Sequence, residues 1–161
     1  MGTSTFSGPV VSTAGFISGA DSIVSATAAT LTVTSASHAG RTVLLNRAAG
    51  QAVTLPVATG TGNSYKFFVQ TTITSNTTTI KVADATDVMA GVAIVANDSD
   101  ASASIFETTS TSDTITFDGS TTGGILGATV ELQDVATNLW SVRVIGAATG
   151  SEATPFSATV S

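Results

Sequence analysis

Residues Ala39–Val69 read AGRTVLLNRAAGQAVTLPVATGTGNSYKFFV, and this stretch decides the fold class. It holds three short runs rich in β-branched and aromatic residues: Thr42–Asn46, Ala52–Pro56 and Tyr65–Val69. Ala48-Ala49-Gly50 separates the first two, and Gly60-Thr61-Gly62-Asn63-Ser64 the second two. Runs of this composition, punctuated by Gly, Pro and Asn, read as strands joined by short loops.

The same grammar continues on both sides. Upstream, Leu31–Thr34 alternates as a strand, and Ser35–Gly40 reads as a turn that leaves His38, the single histidine, exposed in a loop. Downstream, strands are expected at Thr79–Ala83, Gly91–Asn97, Ile105–Thr109, Thr114–Phe117, Ala128–Gln133 and Trp140–Ile145, the last two forming a hairpin. In that hairpin alternation puts Trp140, Val142 and Val144 on one face with Val130 and Leu132. About nine short strands at this spacing predict an all-β protein, an antiparallel β-sandwich of jelly-roll-like or barrel-like form. No internal repeat is visible. Residues 1–22 differ: Gly8-Pro9 and Gly15 interrupt any regular element, while Phe6, Val10, Val11, Phe16 and Ile17 are too apolar for a solvated tail. The expected organisation is an extended N-terminal arm (1–22), a β-sandwich body (23–145) and an irregular C-terminal segment (146–161) anchored by Phe156.

Composition narrows the function. The chain has 161 residues, a length for one domain able to bury a core without staples. It has no cysteine, which excludes disulfides and cysteine-ligated zinc. Only 10% of residues are charged, against a usual ~25%, yet 42% are hydrophobic, which argues for an ordered core over disorder. The net charge is −6, and the five cations Arg41, Arg47, Lys66, Lys81 and Arg143 are dispersed along the chain, so no phosphate-neutralising patch is expected and nucleic acid is not an expected partner. No apolar run reaches the length of a membrane span, and the N-terminus lacks the features of a secretory leader; neither membrane insertion nor export is expected.

No catalytic constellation emerges. Gly60–Lys66 has neither the spacing of a phosphate-binding P-loop nor that of a dinucleotide loop, and reads as a turn. Asp98-x-Asp100 opens like a calcium loop, but the positions that should carry Gly and Glu are Ala103 and Thr109. Glu107 and Glu131 sit in strand patterns without ionisable neighbours nearby in sequence. We therefore expect no enzyme activity, no metal and no cofactor.

Phe6-Ser7-Gly8-Pro9-Val10 followed by Gly15-Phe16 resembles the opening of many phage particle proteins. The run from Arg47-Ala48-Ala49-Gly50 through Val53-Thr54-Leu55-Pro56 to Gly60-Thr61-Gly62 and Tyr65-Lys66-Phe67, with the later Val130-Glu131-Leu132 and Leu139-Trp140, resembles a β-module of phage capsid decoration and fibre-like proteins. The resemblance implies a tailed-bacteriophage capsid decoration (cement) protein, made in the host cytoplasm and seated on the outer surface of the virion. Its implied partner is the major capsid protein, with Phe6, Pro9, Val10, Val11, Phe16 and Ile17 as the docking residues. It also implies a homo-oligomer, a trimer being favoured and a dimer possible. The alternative is a head- or tail-fibre module that binds a host surface glycan through loops such as Gly60–Ser64 or Asp118–Gly124, with Tyr65 and Trp140 the aromatics nearest to loop ends.

Overall fold

The structure is a computed structural model and describes residues 22–160. The expected arm residues Phe6, Pro9, Val10, Val11, Phe16 and Ile17 lie outside the described residues. Among those described are twelve strands and one short helix: β1 (Ile23–Ala26), β2 (Thr30–Thr32), α1 (Ser35–His38), β3 (Thr42–Leu45), β4 (Ala52–Thr54), β5 (Ser64–Val69), β6 (Thr78–Lys81), β7 (Val88–Ala96), β8 (Ala103–Glu107), β9 (Thr114–Phe117), β10 (Thr129–Ala136), β11 (Leu139–Ala147) and β12 (Phe156–Ser157). They form a seven-stranded sheet, ordered β1-β3-β5-β10-β11-β7-β8, and a five-stranded sheet, ordered β12-β9-β6-β4-β2.

The sheets are mixed, which corrects the antiparallel expectation. From β1 to β6 the chain passes alternately from one sheet to the other. β1, β3 and β5 stack in parallel, and so do β2, β4 and β6. The first half is thus a short coil of stacked turns. Its register partners are Ile23, Thr42 and Lys66 in the larger sheet, and Thr30, Ala52 and Thr79 in the smaller one. The intervals between partners are unequal, so the repetition is geometric and leaves no constant sequence period. A parallel neighbour needs a crossover rather than a hairpin, and each crossover here travels through the other sheet. Antiparallel pairing enters only in the second half, where β9 lies against β6, β10 between β5 and β11, β8 against β7 and β12 against β9; β7 runs parallel to β11.

Alternation supplies the core. Tyr65, Phe67 and Val69 of β5, Val130 and Leu132 of β10, and Trp140, Val142 and Val144 of β11 are all buried, as the sequence predicts for the last two strands. They join Val53, Ile80, Ile115 and Phe117 of the smaller sheet in one cluster. Gln51, itself buried, links successive turns of the coil: its Nε2 donates to the carbonyls of Ala26 (3.0 Å) and Ala28 (2.7 Å). Gly50 stands at the adjacent corner with φ +74°, where a Cβ would lie 2.3 Å from the Thr77 carbonyl oxygen. Only glycine lets the two turns approach that closely.

Two further expectations change. His38 is buried at the end of α1, and its Nδ1 accepts the backbone N–H of Thr34 at 3.0 Å. A four-residue helical turn folds the imidazole back on its own start, so it is not an exposed loop residue. The C-terminal segment is more regular than expected. β11 runs on to Ala147, β12 pairs with β9, and the Asp113 carboxylate accepts the N–H groups of Thr159 (2.8 Å) and Val160 (3.1 Å). Phe156 is therefore not its sole anchor.

Candidate functional site

The outward face of the seven-stranded sheet carries the most organised set of exposed side chains. Because side chains alternate across a strand, the register aligns outward residues in rows perpendicular to the strands. One row runs Thr42, Lys66, Glu131, Arg143, Val92 and Glu107. Lys66 Nζ lies 3.4 Å from Glu131 Oε1, and Arg143 Nη1 lies 3.8 Å from Glu131 Oε2. These pairs are solvent-exposed and contribute at most ~1 kcal/mol each. The neighbouring row runs Leu44, Phe68, Thr129, Ile145, Ile94 and Ile105, crossing from β3 to β8. Leu44, Phe68 and Thr129 are half-buried, whereas Ile145, Ile94 and Ile105 are exposed, Ile105 most of all at 65%.

A concavity of about 590 Å³ lies on this face, and Arg41, Lys66, Glu131, Gln133, Ser141 and Arg143 are among its lining residues. Three of the cations that look scattered in the sequence thus share one surface. Alternation in YKFFV, VELQ and WSVRV already points Lys66, Glu131 and Arg143 outward. Their adjacency follows only from the strand order β5-β10-β11, which no local pattern carries.

The loops proposed for ligand binding are closed by the chain's own groups. The Asp134 carboxylate accepts the N–H groups of Thr59 (3.3 Å), Gly60 (2.7 Å) and Thr61 (2.9 Å) and the Thr61 hydroxyl (2.7 Å). An internal carboxylate therefore fills the anion-binding nest of the Gly60–Ser64 loop. Burial raises the pKa of Asp134, but these hydrogen bonds outweigh it and hold the group below its usual range. Asp118 repeats the pattern in the Asp118–Gly124 loop, accepting from Ser120 N, Thr122 N and Thr121 Oγ1; there too the hydrogen bonds outweigh burial and the pKa is lowered. Asp98 accepts from Gly150 N and Asp100 from the Ser102 hydroxyl. Asp84 accepts from Thr86 N and Oγ1, which lowers its pKa.

Asp87 is the exception in direction. It is fully buried, with Oδ2 accepting the Ala58 N–H at 3.0 Å, and burial pushes its carboxyl above the usual range. Nearby Asp84 and Asp134 push the same way, while the hydrogen bond from the Ala58 N–H draws it down without offsetting burial. Among the described residues no group of three or more His, Asp or Glu side chains is arranged to hold a metal.

Tyr65 and Trp140, the aromatics considered for sugar stacking, are 3% and 1% exposed. They pack edge to face with centroids 5.7 Å apart. Neither presents a ring to solvent.

No protein-family model, curated protein or solved structure matches the chain. No helix among the described residues is long and apolar enough to cross a membrane. What the geometry offers is a broad sheet face and strand edges without a neighbour among the described residues, with the described aspartates engaged in holding loops and tail.

Proposed function

We propose that the protein is a non-enzymatic structural component of a phage particle, a decoration protein that seats on the outer surface of the major capsid protein shell and stabilises the head. The two sheets would form its sandwich body, and residues 1–22, with Phe6, Pro9, Val10, Val11, Phe16 and Ile17, would be the docking segment. The observation that carries this reading is the use of the carboxylates. Asp84, Asp87, Asp98, Asp100, Asp113, Asp118 and Asp134 each accept hydrogen bonds from the chain's own loops and tail. That is the economy of a rigid scaffold, and it leaves surfaces, not a pocket of reactive groups, to meet a partner. Many copies on a shell would multiply a modest individual affinity through avidity. The fibre-module reading ranks second, because buried Tyr65 and Trp140 offer a glycan no platform.

Deleting Met1–Asp21 tests the proposal. The truncated chain should keep its β-type circular dichroism and lose co-sedimentation with capsid shells that lack the protein. Undiminished binding by the truncated chain would overturn the assignment of the docking segment.

A further inference from the structure

We infer that the free edge of β8 pairs with the same edge of a second copy, joining two seven-stranded sheets about a two-fold axis at Ile105. In the β7–β8 ladder the outermost bonds are Thr108 N–H to Gly91 O and Asn97 N–H to Ser102 O, both 3.1 Å. Antiparallel strands alternate inward-bonding and outward-facing residues. With Ala93 opposite Phe106 and Val95 opposite Ser104, the even-numbered residues of β8 bond to β7. Ala103, Ile105 and Glu107 therefore aim their N–H and C=O groups away from the sheet, and β8 has no neighbour on that side among the described residues. An edge of this kind is usually blunted by charge, proline or a bulge. β8 carries one charge, Glu107, at its end, and presents Ile105, 65% exposed, at its midpoint.

The edge is its own complement. Centred on Ile105, an antiparallel pairing sets Ile105 opposite its counterpart and Ala103 opposite Glu107 on each side, so every outward donor meets an outward acceptor. Shifting the centre to Glu107 would oppose the two carboxylates, and like charges directly opposite are destabilising. Shifting it to Ala103 would run Glu107 past the end of the opposing strand. The Ile105-centred register also makes the Ile145–Ile94–Ile105 row continuous across the axis, covering its most exposed member. Beside the edge lies a groove of about 720 Å³ lined in part by Phe106, Thr109, Thr154 and Phe156, which the second strand would border. A pairing of this kind is isologous and closes as a dimer, the possibility that the resemblance ranked behind a trimer. The opposite edge, β1, takes no part in this pairing and has no outer neighbour among the described residues. None of this depends on the capsid reading.

The absence of cysteine makes the test direct, because Ile105→Cys introduces a single thiol. The full-length protein should have a dimer mass by light scattering at micromolar concentration. Under mild oxidation Ile105→Cys should form a disulfide-linked dimer about tenfold faster than Ile23→Cys on the far edge, since pairing raises the effective concentration of one thiol at the other. Ile105→Pro removes an outward N–H that the β7 ladder does not use, and should give a monomer with unchanged circular dichroism. A monomeric wild type would overturn the inference, as would equal cross-linking at positions 23 and 105. Loss of the dimer on deleting residues 1–21 would also overturn it, by making that segment the occupant of the edge. If Ile105→Pro fails to fold, the cross-linking comparison still decides.

Discussion

The Asp134 carboxylate accepts the Gly60 backbone N–H at 2.7 Å across 74 positions of sequence, and so joins the turn before β5 to the end of β10. Asp134→Asn keeps the shape but turns one acceptor oxygen into a donor facing groups that already donate. Leaving such buried groups unsatisfied costs about 1–3 kcal/mol, to be read from the midpoint of urea unfolding. The pH dependence should change too. The pKa of Asp134 is lowered on folding, so its contribution is present above the unfolded-state pKa and is lost as pH falls through the folded one. Asp87 runs the other way. Its raised pKa means that stability falls as pH rises from the unfolded-state value through the folded one. Asp134→Asn should therefore flatten the acid limb of the stability profile.

Gly50→Ala and Gly40→Ala form a matched pair. Both glycines have left-handed backbone, with φ of +74° and +70°, but a Cβ at Gly50 meets the Thr77 carbonyl at 2.3 Å while one at Gly40 meets nothing within 4 Å. Backbone strain should cost each variant about 1–2 kcal/mol. Gly50→Ala should lose roughly 1–3 kcal/mol more from overpacking between turns of the coil. Equal melting temperatures for the two variants would contradict the close stacking described above.

Asp113→Ala should release the C-terminal segment without unfolding the body. Its carboxylate is the acceptor for the N–H groups of both Thr159 and Val160. The expected result is faster hydrogen exchange and carboxypeptidase trimming of the last residues, with protection of β10 and β11 unchanged.

Trp140 is the single tryptophan and Tyr65 the single tyrosine, and they pack against each other. Burial, with Asp134 adding to it, raises the Tyr65 pKa. The neutral phenol is the form the fold favours, so its contribution is complete below the usual value near 10 and is lost as pH rises above it. Phenolate absorbance should therefore appear late in an alkaline titration, together with a red shift of Trp140 emission as the pair comes apart.

Much of the fold is readable from local pattern. Thr42–Leu45, Ala52–Thr54, Ser64–Val69 and Thr114–Phe117 are strands close to where alternation and glycine punctuation put them, and the β10–β11 hairpin buries the residues expected. β1 escapes notice because Ile23-Val24-Ser25-Ala26 is only four residues long and runs straight on from the segment 1–22, and β12 because it has two residues. Strand direction is not local information at all. Whether β3 meets β5 in parallel depends on where β4 goes in between, and the unequal turns of the coil hide its repetition. The gathering of Arg41, Lys66 and Arg143 is hidden for the same reason. His38 looks like a loop residue because nothing in Ser35–His38 signals a helical turn.

The parallel β1–β3 ladder also has a mechanical consequence. The segment before Ser22 joins the body at β1, an outermost strand, whose four residues Ile23–Ala26 lie in parallel register with Thr42–Leu45. Tension applied there along the strand axis loads those hydrogen bonds in shear, so they share the force and must fail together. Tension across the sheet peels them one at a time. The direction in which the N-terminal end is pulled would therefore set the force the joint withstands, and a tether leaving along β1 would hold far better than one leaving sideways.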